Sequence, residues 1–153
     1  MTHHIDNYIL KRLDELAWQD KELAEKSIIS KGQISKLKNS SIEKLSAETF
    51  YLVVGAFGDK FSTAISLIYP RLKDHTLNKY QQKSRNVFGV LMSKYETSIN
   101  SIEEVSAKTG ITEVRLHELY FRKGGLQAYE LILTEKAINK EAGELFEEFY
   151  GKP

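Results

Sequence analysis

Apolar residues recur every three or four positions through most of this 153-residue chain, with polar side chains between them. That is the spacing of helices that bury one face. The first predicted helix runs from Ile5 to about Ala17, with Tyr8 or Ile9, Leu13, Leu16 and Ala17 inward. Trp18 follows it as a core plug. A second helix starts near Gln19–Asp20, and Leu23, Ala24 and Ile28 line one of its faces. A third starts near Lys31, with Ile34 and Leu37 inward. Ser30 stands just before it, placed to cap free backbone N–H groups. Asn39-Ser40-Ser41 is turn chemistry. A fourth helix follows Ser46, which forms an imperfect capping box with Thr49 in the usual glutamate place. Phe50, Val53, Val54 and Phe57 are its core positions, and Gly58 is its stop. A fifth, Phe61–Tyr69, ends at Pro70.

The pattern then repeats. Glu22–Leu37 aligns without a gap on Glu104–Leu119 at an offset of 82: Leu23 falls on Val105, Ile29 on Ile111, Ser30 on Thr112 and Leu37 on Leu119. Downstream the offset is 81, so that Leu45 meets Leu126, Ala56 meets Ala137 and Tyr69 meets Tyr150. A nearly constant offset over such a length marks an internal repeat. The expected fold is all-α, two tandem five-helix units. Residues 1–70 form the first, 71–84 a polar linker that is either helical or frayed, and 85–153 the second. Gly110 stands where the second copy needs a left-handed turn residue, and Ile28 holds that place in the first. Ser101 with Glu104 makes a clean capping box.

Composition narrows the function classes. There is no cysteine, so disulfide frameworks and cysteine-bearing metal sites are excluded. The N-terminus lacks a basic segment followed by an apolar run, so no signal peptide is read. No apolar stretch reaches membrane-spanning length. A cytoplasmic protein is the expectation. Net charge is +1, but its distribution is uneven. Residues 1–82 hold 12 Lys and Arg against 10 Asp and Glu, and residues 83–153 hold 10 against 11. Between Lys26 and Lys44, five lysines (26, 31, 36, 38 and 44) stand against Glu43 alone. A local basic face is what phosphate binding needs; a solvated charged face is the plain alternative.

The run DKELAEKSIISKGQISKLKNSSIEKLSAETFYLVVGAFGDKF resembles the Cro/phage-repressor (XRE) type of helix-turn-helix domain, the likeness covering Ile5 to about Tyr69. That resemblance implies a five-helix DNA-binding fold, double-stranded DNA as partner and a homodimer on it. It implies that the third helix, about Lys31–Asn39, enters the major groove. Carried over by position, it nominates Lys31, Gly32, Gln33 and Lys36 for base edges and nearby phosphates, and Ser35, Lys38 and Asn39 for phosphates. Gln33 suits adenine, and lysine suits guanine or phosphate. The chain departs from the family at Asp20, where a phosphate-binding glutamine is usual; a carboxylate there is acceptable as a helix cap. The second copy has Ile102 at that place, and its third helix exposes Glu113, Val114, Arg115, His117 and Glu118. Its segment LHELYFRKGGLQAYELIL is also similar to TetR-type regulators, a likeness the internal repeat accounts for. The second copy is thus either a modified DNA reader or a module for self-association or a protein partner.

Enzyme chemistry finds no support. The four histidines are scattered, and His3-His4 lies at a chain end where fraying is the default. No phosphate loop, nucleophile elbow or zinc-helix motif occurs. Neighbouring carboxylates such as Glu147-Glu148 diverge by about 100° on a helix. No cofactor or metal is expected. The function predicted is a sequence-specific DNA-binding transcriptional regulator. The alternative is a non-enzymatic interaction module that keeps the fold without binding DNA.

Overall fold

A computed structural model describes residues 1–81, 84, 87, 88, 100–122 and 125–152. The described residues are all-α. The helices are α1 (Ile5–Leu16), α2 (Asp20–Ser27), α3 (Lys31–Lys38), α4 (Ala47–Phe57), α5 (Phe61–Ile68), α6 (Pro70–Lys73), α7 (Ile102–Thr109), α8 (Glu113–Phe121), α9 (Ala128–Ala137) and α10 (Glu144–Tyr150). No single helix among these residues is long and apolar enough to cross a membrane.

Local chemistry sets the ends. Ala17 closes α1 and Gly58 closes α4, both in the left-handed conformation. Ser46 Oγ accepts from the Thr49 N–H at 3.1 Å and donates to Thr49 Oγ1 at 2.8 Å, so threonine completes the cap in its own way. Pro70 ends α5 and opens α6, at the one helical turn where its missing N–H costs nothing. Of the expected linker, residues 71–73 belong to α6, and no helix runs through residues 75–81. Of the expected start of the second copy, residues 85, 86 and 89–99 lie outside the described residues.

The chain forms two compact units: Met1–His75 with Gly125–Pro153, and Thr76–Gly124. In the first, α1 packs on α3 and α5, and α2 on α3 and α4. Ile5, Ile9, Leu23, Ile34, Leu37, Phe50, Val54 and Ile68 are buried between them. The N-terminus is held rather than frayed. The His4 N–H donates to Ile68 O at 2.8 Å, and the His3 ring meets the Tyr69 ring edge-on.

The same unit also contains α9 and α10, which pack on α4. Phe146 is fully buried, its ring 5.2 Å from Phe50 and 5.4 Å from Phe61. Tyr150 stacks on Tyr51 at 5.1 Å. Gly143 precedes α10 at φ +98°, and an added Cβ there would lie 2.6 Å from the Phe61 ring, so both backbone and space require glycine. Buried Glu135 accepts from the Gly143 and Leu145 N–H groups, each at 2.9 Å, and so anchors the start of α10. Burial pushes its carboxyl above the usual range, against the pull of those bonds. Residues 125–153 therefore complete the core of the first unit, whereas the sequence groups them with 85–124. Periodicity shows that a helix has an apolar face but not which surface covers it.

In the second unit α7 packs on α8 through Val105, Ile111 and Leu116. The Asn78 N–H donates to Lys108 O at 2.9 Å. Helix limits repeat at the offsets read from the sequence. Adding 82 to α2 gives α7, adding 82 to α3 gives 113–120 within α8, and adding 81 to α4 gives 128–138 over α9.

Candidate nucleic-acid interface

The turn between α2 and α3 is built from two short bonds. Ser27 Oγ donates to Leu23 O at 2.6 Å and accepts the Ile29 N–H at 3.2 Å. Thr109 makes the same pair at its own turn, to Val105 O at 2.7 Å and from the Ile111 N–H at 3.1 Å. Both hydroxyls are buried, which makes these bonds structural. Ser30 Oγ then caps the Gln33 N–H at 3.1 Å, and Thr112 caps Arg115 at the same distance.

Ile28 departs from its expected inward place. It is the left-handed residue of this turn, at φ +62°, and is 87% exposed. Its counterpart is Gly110, at φ +78°. A β-branched residue is strained in this region, by about 1–2 kcal/mol for an L residue. Ile28→Gly should therefore raise stability by roughly 1 kcal/mol after glycine's extra chain entropy is subtracted. A urea titration checks this, and a lower midpoint would refute the strain.

The nominated residues share the outer side of α3. Ile34 and Leu37 are fully buried on its inner side. Lys31, Gly32, Ser35, Lys36 and Asn39 are exposed, and Gln33 is half-exposed. No carboxylate lies within ion-pair distance of Lys31 or Lys36 among the described residues. Asn39 Nδ2 and Ser35 Oγ stand 3.5 Å apart, too far for a strong bond. Nothing lies within 4 Å of a Cβ added to Gly32, so the fold itself does not require glycine there.

Lys38 is placed differently. Its Nζ is 2.8 Å from Asp20 Oδ1, which ties the end of α3 to the start of α2. Asp20 is accordingly a partner for Lys38 and not the cap. Gln19 is the cap residue, and its N–H donates to Glu22 Oε2 at 2.8 Å. Lys26 is also engaged, its Nζ 5.2 Å over the Trp18 ring, which stacks on Phe57. Of the five lysines in the basic stretch, 31, 36 and 44 keep their charge toward solvent. The Asp20–Lys38 pair spans 18 residues, and only the α2–α3 crossing brings it together.

The corresponding face of α8 is different in kind. Val114 is 71% and Phe121 74% exposed. His117 stacks on Phe121 at 5.6 Å, and Tyr120 meets Phe121 edge-on. Arg115 Nη1 is 3.3 Å from Glu118 Oε2. Exposed Phe121 and Tyr120 were legible as aromatic residues, but their helix-face spacing points equally to a core. Among the described residues no group of three or more His, Asp or Glu could hold a metal ion. Comparison with known protein families, curated proteins and solved structures gives no match for this chain.

Proposed function

We propose that the chain is a sequence-specific DNA-binding transcriptional regulator that presents α3 to the major groove. The observation that carries this is the sidedness of α3: Ile34 and Leu37 are sealed in the core while Lys31, Gln33, Ser35 and Lys36 point away from it. A short helix held by its buried side and armed with donors outside is the form a groove reader takes. Gln33 suits the paired donor and acceptor of adenine, and the lysines suit phosphate oxygens or guanine. The test is a salt series of anisotropy titrations on mixed duplex DNA. Affinity should fall with rising salt by about 0.9 log units per log unit for each phosphate neutralised. No binding at low salt would refute the reading.

Gly32 gives a second check that separates fold from contact. Ala in its place should stabilise α3 by about 0.5–1 kcal/mol. If the DNA backbone approaches this position, the same substitution weakens binding; equal or tighter binding would take Gly32 out of the interface.

A second reading, a protein-binding module on the same fold, is favoured by α8. Its exposed Val114, Tyr120 and Phe121 suit a protein surface better than a phosphate backbone.

A further inference from the structure

Ser46 and Gln127 are counterparts at the 81-residue offset, and they also form an isolated antiparallel β-bridge with each other. The bonds around them are reciprocal. The Ala47 N–H donates to Leu126 O at 2.8 Å, and the Ala128 N–H to Leu45 O at 3.0 Å. Leu45 and Leu126 are counterparts, as are Ala47 and Ala128. The helices these residues open, α4 and α9, are counterparts as well and pack on one another. Only Ser46 and Gln127 face their own equivalent; the two flanking bonds are exchanged one for the other, so the contact has a local two-fold axis between Ser46 and Gln127. That is the isologous arrangement by which two like units pair. Ala47 and Ala128 are fully buried, which leaves this surface no room for another chain.

We infer that these residues are a self-pairing surface closed within one chain. The place where a second copy of α4 would dock is held in cis by residues 126–150. The chain works as a single copy, and its first helix-turn-helix takes an asymmetric duplex site rather than two halves of a palindrome. This reverses the homodimer expected from the sequence. The claim about the site rests on the DNA-binding reading, whereas the claim about the surface does not.

The chain contains no cysteine, so crosslinking can decide the matter. Facing residues of an antiparallel pair have Cα atoms about 4.5–5.5 Å apart, within the span of a disulfide. Ser46→Cys combined with Gln127→Cys should oxidise to a product of monomer mass. Ser46→Cys alone should stay monomeric, because no second Ser46 faces it. A disulfide dimer from the single variant, or no bond in the double one, would overturn the inference. Sedimentation of the unaltered chain gives an answer that does not depend on either variant folding. A mass of 17.6 kDa at all concentrations is expected, and twice that mass would overturn it. Sites selected from random duplexes should be non-palindromic, with one chain bound to each. Selection of palindromes carrying two chains would overturn the asymmetric-site claim. Failure to bind any duplex would instead refute the DNA-binding reading and leave the crosslinking result standing.

Discussion

Phe146→Ala should lower the stability of the first unit by about 3–5 kcal/mol, the usual cost of emptying a buried aromatic site. Phe146 has no exposed surface, and its ring lies against Phe50 of α4 and Phe61 of α5. A loss of that size is a large part of the roughly 5–15 kcal/mol that holds a domain folded. The location of the effect is as informative as its size. Trp18 is the single tryptophan, and it stacks on Phe57 far along the chain from residue 146. Its fluorescence therefore reports on the helices contributed by residues 1–75. In urea the Trp18 transition should move to lower denaturant with its slope unchanged. A Trp18 transition that stays in place would mean that α10 belongs to a separately folding body.

Replacing Lys31 and Lys36 together by glutamine should flatten the salt dependence of DNA binding by about two ions. At about 0.1 M salt this corresponds to a loss of affinity on the order of tenfold to a hundredfold. Both side chains are exposed, so folding stability should stay within about 0.5 kcal/mol of the parent. Anisotropy titrations at several salt concentrations, with a urea curve as control, check both halves. Unchanged binding by a folded variant would take α3 out of the interface. Lys38→Gln is a useful contrast, since it also leaves Asp20 without its ion pair and so acts on the α2–α3 crossing.

Much of this architecture is written locally. Ser30, Ser46, Ser101 and Thr112 each cap the backbone three residues on, and such signals are read from a few neighbouring residues. The repeat was legible for the same reason, because its offset needs only residue types in order. Three features were not. The partner of each apolar face depends on packing, so residues 125–153 could not be assigned to the first unit from Phe146 or Tyr150 alone. At Ile28 two sequence signals conflict, its inward spacing from Leu23 and its alignment on the turn glycine Gly110, and only the backbone shows that the turn prevails and directs the side chain outward. Lys38 and Lys36 look equivalent in a basic run, yet the ammonium of Lys38 is directed to Asp20, across a crossing that no local pattern encodes.

The first unit is assembled from two pieces of chain separated by Thr76–Gly124. During synthesis α3 leaves the ribosome early, but the surface of α4 stays uncovered until residues 125–150 have followed. Closing contacts over so long a stretch carries an entropy cost and slows folding. A translation product broken off near residue 124 would carry every lysine of the basic stretch on an unfinished core. The packing of α4 is thereby finished only once residues 125–150 have been translated, and shorter products leave Phe50 and Tyr51 without the rings of Phe146 and Tyr150.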